Sequence, residues 1–228
     1  MTTLNLQVAA NGDDGWASVP AGSFSNSSDN FLCGDFNGAN YKLASYSRFL
    51  NVTIPVGATI IAATMTFKAA TTQSGGGLTA RIRAVDADSP TAPNNSTTYN
   101  ANARTTAQVD WSVPDMTSGT NYTTPDISAV IQEVIDRAGW ASGNAMMLYT
   151  EDPVGNAAGT IYRRAVAYNT TPADAPKLDI TYTAAGGTSI PVMMNQYRQR
   201  WARAVQFQRR KSGLYAPLNS TKSIVRAS

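Results

Sequence analysis

Histidine is absent from the 228 residues of this chain, and cysteine occurs once, at Cys33. The absence of histidine excludes a histidine-based catalytic triad and a histidine-ligated metal site. A single cysteine excludes a disulfide within the chain. Because Cys33 lies between apolar residues in the sequence FLCGDF, we expect a small buried side chain there rather than a reactive thiol.

Charged residues are also few, at 14% of the chain, and they are distributed unevenly. All fifteen acidic residues precede Gly187, together with ten basic residues, which gives this part a net charge of −5. The residues after Gly187 include eight basic and no acidic side chains, a net charge of +8. This division predicts that the C-terminal segment contacts something that the rest of the chain does not.

Long hydrophobic runs are missing as well. No apolar run reaches the roughly 18 residues that a membrane-spanning helix needs. The N-terminal sequence MTTLNLQVAANG has no basic segment followed by an apolar run, so no secretory signal is predicted. We therefore expect synthesis in a cytoplasm and no membrane partner.

The stretch from Arg48 to Lys68 shows the alternation of apolar and polar residues that is typical of β-strands. Its apolar positions are Leu50, Val52 and Ile54, then Ile61, Ala63, Met65 and Phe67. Pro55 and Gly57 lie between the two runs and predict a tight turn. Because a hairpin alone is only marginally stable, these two strands must lie in a larger sheet that a second layer covers. The predicted fold is therefore a β-sandwich.

Similar patterns predict further strands along the chain, at about residues 4–8, 78–82, 105–113, 145–150, 161–168 and 178–182, and a short strand somewhere within residues 31–47. Polar residues predict a loop from Asn11 to about Asn30 and a second loop from Asp86 to about Asn102. We expect the second loop to be the one that meets any ligand of the sandwich, because it is long and polar.

One helix is predicted between the strands. Thr124 is the expected N-cap and Pro125 the first helical residue, and Gly139 marks the end. Between them, apolar residues recur at helical spacing: Ile127, Val130, Ile131, Val134 and Ile135.

Three segments together resemble a known family. The motif IP-x-GA-x-I-x-x-A-x-M-x-F follows a strand that contains an arginine, and the segments Thr123–Asp152 and Arg163–Thr183 follow it in order. In this order they resemble the DNRLRE-type jelly-roll domains, which are related to carbohydrate-binding modules and occur in bacterial surface proteins and phage structural proteins. The resemblance implies an all-β jelly-roll sandwich with one short helix over residues 1–185. It implies little about function, because this architecture has many roles.

Residues 186–228 are predicted to form a basic C-terminal arm, with an amphipathic helix at about 191–212. The residues predicted to bind a partner are Met194, Tyr197, Arg198, Trp201, Val205, Arg209 and Arg210. An amphipathic helix needs a partner, and four remain open: the chain's own sandwich, another subunit, a membrane surface or nucleic acid.

The remaining chemistry rests on carboxylates and aromatic rings. Acidic residues come close together only at Asp13 with Asp14, Asp86 with Asp88, and Glu151 with Asp152. Related jelly rolls often carry Ca²⁺, which takes oxygen ligands, but we favour solvated loop carboxylates and predict no cofactor. No carboxylate lies in a recognisable catalytic motif, so we predict that the chain is not an enzyme. Four aromatic residues could stack on sugar rings or could instead anchor loops: Trp16, Tyr99, Tyr122 and Trp140.

Three functions are compatible with the sequence. We favour a virion structural protein of a phage, such as a capsid decoration, fibre or tail-associated subunit. Its partners would be other virion subunits, including copies of itself, and it could also bind host glycans. The first alternative is a carbohydrate-binding module or adhesin. The second is a nucleic-acid-binding protein that acts through the basic tail.

Overall fold

The computed structural model describes residues 1–19, 22–36, 42–75, 77–152 and 161–185. Within these ranges the chain forms twelve strands, two α-helices and one 3₁₀ turn. In chain order they are β1 (Thr2–Gln7), β2 (Asp14–Val19), β3 (Phe24–Ser25), β4 (Asn30–Asp35), β5 (Lys42–Phe49), β6 (Thr59–Lys68), β7 (Leu78–Ala84), α1 (Ser96–Ala101), β8 (Val109–Val113), β9 (Asn121–Thr123), α2 (Ser128–Ile135), β10 (Met146–Glu151), β11 (Tyr162–Ala165), the 3₁₀ turn (Pro172–Asp174) and β12 (Lys177–Thr183).

The strands form two antiparallel sheets that enclose one main core. The smaller sheet has the strand order β1-β12-β6-β9. The larger sheet has the order β11-β4-β5-β10-β7-β8, and β2 joins it by pairing with β5 and with β3. Phe67 and Ile180 of the smaller sheet meet Ile82 and Leu148 of the larger one in this core. The prediction of an all-β sandwich is confirmed.

Cys33 lies in β4 and is fully buried, as predicted. Burial raises the pKa of its thiol far above the ordinary value, so the side chain stays protonated. Cys33 therefore behaves as a small core residue.

Residues 48–68 do not form the predicted hairpin. Strand β5 belongs to the larger sheet and β6 to the smaller one, so the segment between them crosses from one sheet to the other. Val52 and Ile54 are fully buried on the way. Hydrogen bonds to the backbone of this segment hold it in place. The Val52 N–H donates to the Asn144 carbonyl at 2.9 Å, and the Trp140 indole N–H donates to the Ile54 carbonyl at 3.0 Å. A loop that buries every second side chain has the same local pattern as a strand, and the prediction failed for this reason.

A β-bulge in β6 changes which side chains face the core. Tyr182 of β12 pairs with Ile60, but the preceding Thr181 pairs with Ala62, so Ile61 is skipped. Ile60 is consequently buried, with 8% of its surface exposed, whereas Ile61 is 43% exposed. The prediction that Ile61 faces the core is therefore wrong. Beyond the bulge, the predicted inward face of β6 is buried to the end of the strand.

The edge of β6 that faces β9 is only partly paired, because β9 reaches no further than the last three residues of β6. Residues 124–132 cover the rest of this edge. Three side chains accept its backbone N–H groups: Thr124 Oγ1 from Met65 at 3.0 Å, Asp126 Oδ1 from Ala63 at 2.8 Å, and Gln132 Oε1 from Ile60 at 2.8 Å. Buried backbone donors without a partner are costly, so these bonds fix α2 against the smaller sheet.

Helix α2 differs from its predicted bounds. It begins at Ser128 rather than at Pro125 and ends at Ile135, and Ile127 is its N-cap residue. Thr124 is not a helix cap, because its hydroxyl is hydrogen-bonded to the strand instead. The predicted apolar face is confirmed, since all five of its residues are fully buried.

The prediction of a single helix is also wrong, because α1 lies inside the predicted loop from Asp86 to Asn102. Its start is stabilised by a reciprocal cap, in which the Asn95 side chain accepts from the Thr98 N–H at 2.8 Å and the Thr98 hydroxyl accepts from the Asn95 N–H at 3.2 Å. An asparagine and a threonine make this cap in place of the more familiar serine and glutamate, which is why composition alone predicted a loop.

The predicted loop from Asn11 to Asn30 contains β2 and β3. Gly15 in β2 shows why this strand was not predicted from hydrophobic alternation. A Cβ at this position would lie 2.4 Å from the Ser25 carbonyl oxygen and 2.8 Å from the Tyr46 ring, so close packing here requires glycine rather than an apolar side chain.

Strand β11 is fixed by a fully buried arginine, Arg163, with 0% of its surface exposed. Its guanidinium donates to the carbonyl of Pro114 at 2.8 Å, to that of Gly75 at 2.9 Å and to the carboxylate of Asp115 at 2.8 Å. These bonds compensate for the burial of the charge and tie β11 to two turns.

Phe67 provides a test of the core. Its ring stacks on Trp111, with 6.2 Å between centroids. We expect Phe67→Ala to lower the free energy of unfolding by about 3–5 kcal/mol, measured by chemical denaturation. Ile61→Ala is the matched control in the same strand, and we expect it to change the stability by less than about 0.5 kcal/mol because Ile61 is exposed. Equal losses would contradict the bulge.

Thr124 provides a test of the edge of β6 that residues 124–132 cover. We expect Thr124→Val, which keeps the shape but removes the acceptor for the Met65 N–H, to cost about 1–3 kcal/mol of stability. Thr123→Val is the control, because Thr123 is exposed and its hydroxyl is hydrogen-bonded to that of Thr66 at 3.1 Å rather than to a backbone group of the strand. If both variants unfold at the same denaturant concentration as the unchanged protein, the edge does not depend on this hydroxyl.

Candidate functional site

The predicted partner-binding residues of the arm lie outside the described residues. They are Met194, Tyr197, Arg198, Trp201, Val205, Arg209 and Arg210. The predicted helix at about 191–212 lies there as well.

Two of the four aromatic residues that could stack on sugars are core residues. Tyr99 is 0% exposed, and its ring centroid lies 4.4 Å from that of Tyr149. Trp140 is 3% exposed, and its indole N–H is the donor to the Ile54 carbonyl described above. Neither ring has a face open to solvent, so of the two roles that the sequence left open, sugar stacking is excluded for both and a structural role fits.

Trp16 and Tyr122 are half-buried and lie in different sheets. Trp16 is in β2, and its indole N–H donates to the Ser28 hydroxyl at 3.4 Å. Tyr122 is in β9, and its hydroxyl accepts from the Thr117 N–H at 2.8 Å. The structure therefore does not bring the four aromatic residues together into one platform.

Each predicted acidic pair has at least one carboxylate that binds an arginine. Asp13 binds Arg48 at 2.7 Å, Asp86 and Asp88 both bind Arg137, and Glu151 binds Arg83 at 2.6 Å and Arg104 at 3.0 Å. A cation such as Ca²⁺ would have to replace these guanidinium groups. In the described ranges, no group of three or more acidic or cysteine side chains is placed to hold a metal ion.

The ion pairs of Glu151 belong to a second, smaller core on the outer face of the larger sheet. Helix α1 covers this face and places Tyr99 beside Tyr46 and Tyr149. The Arg104 guanidinium lies 4.3 Å from the Tyr149 ring centroid, in cation–π geometry. Burial is the main cause that raises the pKa of Tyr99 well above its ordinary value, so this phenol stays neutral.

A charged hollow of about 150 Å³ lies beside these ion pairs. It is lined by Lys42, Leu43, Ala44, Arg81, Arg83, Glu151 and Asp152. Arg81 binds both oxygens of Asp110, at 2.8 and 2.9 Å, and Arg83 is held by Glu151. Because carboxylates of the chain already occupy both guanidinium groups, this hollow has the character of a structural ion-pair network.

A second hollow, of about 430 Å³, has no charged side chain among the described residues that line it. Three turns form it, and we call it the asparagine hollow: Asn11 and Gly12 before β2, Asn26 and Ser27 after β3, and Asn169 after β11. The Asn169 side-chain N–H donates to the Asn26 carbonyl and joins two of these turns. Sequence reasoning missed this site because its residues are far apart in the chain. The only local signals were the turn pair Asn11–Gly12 and the general abundance of asparagine.

A scan against protein-family models finds no match to this chain, and a search of curated proteins finds none either. In the part of the chain that the structure describes, no helix is both long and apolar enough to cross a membrane.

Glu151 provides a test of the ion pairs with Arg83 and Arg104 on the outer face of the larger sheet. We expect Glu151→Gln to cost about 2 kcal/mol of unfolding free energy, because the largely buried carboxylate is the shared counter-charge of Arg104, which is largely buried, and of Arg83, which is partly exposed. Asp110→Asn is the control, because it breaks the more exposed pair with Arg81 and should cost less than about 1 kcal/mol. Thermal and denaturant unfolding of both variants gives the comparison. A smaller loss for Glu151→Gln than for Asp110→Asn would contradict the assignment.

Proposed function

We propose that this chain is a structural protein of a phage virion, with a displayed jelly-roll body and a basic C-terminal arm that anchors it. The observation that carries the proposal is the strand order. In an eight-stranded jelly roll, strands one, eight, three and six form one sheet, and strands two, seven, four and five form the other. The orders β1-β12-β6-β9 and β5-β10-β7-β8 follow this scheme. Strands β2, β3, β4 and β11 are then additions to it.

Jelly rolls are a recurring architecture of viral capsid and lectin domains, which is why the strand order favours a role in assembly or recognition. The resemblance of three segments to DNRLRE-type domains of phage structural proteins supports the same role. That resemblance is independent of the strand order, since it rests on the sequence.

A non-enzymatic role is part of the proposal. The acidic residues that could serve as catalytic pairs are used in ion pairs: Asp13 with Arg48, and Glu151 with Arg83 and Arg104. Carboxylates that act in glycoside hydrolysis must instead be free to exchange protons with a substrate. A carbohydrate-binding module stays the alternative, although two of its four predicted aromatic residues are buried.

The proposed anchor is the arm at residues 186–228. Its predicted apolar face, with Met194, Tyr197, Trp201 and Val205, would insert between neighbouring subunits, since tryptophan, tyrosine and arginine dominate interface energies. The residues after Gly187 have a net charge of +8, and those before it have a net charge of −5. The arm of one copy would therefore be attracted to the acidic body of a neighbouring copy.

The test compares three chains supplied during infection by a phage that lacks its own copy: the full chain, a truncation after Gly213 and a truncation after Ala185. We expect gradient-purified particles to contain the first two, because both keep the predicted helix. The chain ending at Ala185 should fold, with a β-type circular dichroism spectrum and cooperative melting, but stay out of the particles. Equal incorporation of all three, or of none, would contradict the proposal.

Nucleic acid is the rival partner of the arm, and it predicts a different response. Binding to nucleic acid should weaken steeply with salt, with a slope of about −0.9 per neutralised phosphate, and should depend little on Trp201. For a protein anchor we expect Trp201→Ala to weaken association by about 2 kcal/mol or more and salt to matter less. Binding of the full chain to DNA and to particles lacking it, measured over a salt series, separates the two.

A further inference from the structure

We propose that the open edge of β1 pairs with β1 of a second copy of this chain, so that the smaller sheets of the two copies form one continuous antiparallel sheet. The proposal assigns a self-association surface to the sandwich itself. It rests neither on the virion role nor on the arm at residues 186–228, because residues of β1 make the contact.

Strand β1 has a strand neighbour on one side only. In the described ranges it is the end strand of the smaller sheet and pairs with β12 alone. Leu4 and Leu6 of β1 pack against the main core but are only half-buried. Their partners in β12, Ile180 and Leu178, are fully buried. A further strand beside β1 would remove the remaining apolar surface of both leucines from water, which favours pairing.

The hydrogen-bond pattern of β1 identifies the backbone groups on its open edge. The Val8 N–H donates to the Pro176 carbonyl at 3.0 Å, in continuation of the β1–β12 register. In an antiparallel ladder, successive residues alternate between bonding the partner strand and pointing away from it. Counting back from Val8, the residues whose N–H and C=O groups point away from β12 are Thr3, Asn5 and Gln7. In the described ranges, no other strand pairs with these groups.

Strand β1 also lacks the features that keep a sheet edge from pairing. Its sequence, TTLNLQ, contains no charged residue and no proline, and its register with β12 has no bulge. These absences matter because a regular, neutral edge presents its backbone groups to any strand that approaches it.

The other edges in the described part of the chain have such features. Strands β3 and β9 are only two and three residues long. Strand β8 contains the charged Asp110 and is followed by Pro114. Strand β11 has a bulge, and its Arg164 N–H donates to the Gln73 side chain at 2.7 Å while the Arg164 carbonyl accepts from the Ala70 N–H at 3.0 Å. Strand β1 is therefore the edge on which another strand can add.

A second copy of β1 fits this edge in one register. A two-fold axis at Asn5 places Thr3 opposite Gln7 of the second copy, and Leu4 opposite Leu6 of the second copy. Polar side chains then face polar ones and leucine faces leucine. All three open residues of each copy lie in hydrogen-bonded pairs, so every backbone group on the edge gains a partner. Because β1 is neutral, pairing it with itself causes no like-charge repulsion, and the contact is self-complementary as two-fold symmetry requires.

The first test measures the mass of the purified full chain by sedimentation equilibrium over a concentration series. The edge is short, so we expect a weak dimer with a dissociation constant on the order of 10–100 µM. Asn5→Pro should weaken the dimer about tenfold or more, because it removes the two central hydrogen bonds. The Asn5 N–H points away from β12, so proline costs the β1–β12 ladder no bond. Asn5→Thr keeps this N–H and is the control that should still dimerise.

The second test is disulfide cross-linking with diamide, and it does not require the proline variant to fold. In the proposed dimer, thiols introduced by Asn5→Cys lie across the axis on Cα atoms about 5.5 Å apart, within reach of a disulfide. Asp179→Cys is the matched control, because Asp179 is exposed and pairs with Asn5 one strand further in. Its thiols would be three strand spacings apart, about 14 Å, and should not cross-link. The native Cys33 is buried and does not compete.

Three results would overturn the proposal. The first is a full chain that stays monomeric up to about 1 mM, which would mean that no second copy occupies the edge. The second is a folded Asn5→Pro variant that dimerises as well as Asn5→Thr. The third is equal cross-linking of the two cysteine variants, which would place the contact elsewhere. Both tests use the purified chain without particles, so this proposal and the proposed virion role fail separately.

Discussion

The backbone of β6 needs hydrogen-bond acceptors along an edge that no neighbouring strand fully covers. Strand β9 pairs with only the last part of it, and side chains from residues 124–132 supply the other acceptors. This requirement fixes α2, which packs against β6 of one sheet and β7 of the other. The apolar face of α2 then fills the core between the sheets. Satisfying one strand edge therefore also closes the sandwich, and the same side chains keep this edge from pairing with another chain.

The sequence was a good guide to which segments are strands and a poor guide to how they pair. Alternation with a period of two is a local property, so β7, β8 and β12 could be predicted from it. Sheet membership depends on contacts far along the chain. The crossing segment around Val52 and Ile54 buries alternate side chains without being a strand, and the bulge at Ile61 inverts the inward face within β6. Neither feature has a local signature that distinguishes it from regular alternation.

The candidate site was less predictable than the fold. Tyr99 lies among serine, threonine and asparagine, so its sequence context indicates a loop, and only the packing of α1 on Tyr46 and Tyr149 makes it a core residue. The asparagine hollow had the opposite problem. Its residues are individually ordinary turn residues, and their common chemistry becomes visible only when three distant turns meet.

The position of β12 has a mechanical consequence. This strand is paired along its length with β1 on one side and with β6 on the other, and both partners run antiparallel to it. A pulling force applied between Asn11, which follows β1, and Ala185, which follows β12, acts on the opposite ends of two paired antiparallel strands. It therefore loads the hydrogen bonds of the β1–β12 ladder in shear, so that they must break together rather than one after another. Resistance to such a force is governed by the rate of unfolding rather than by equilibrium stability.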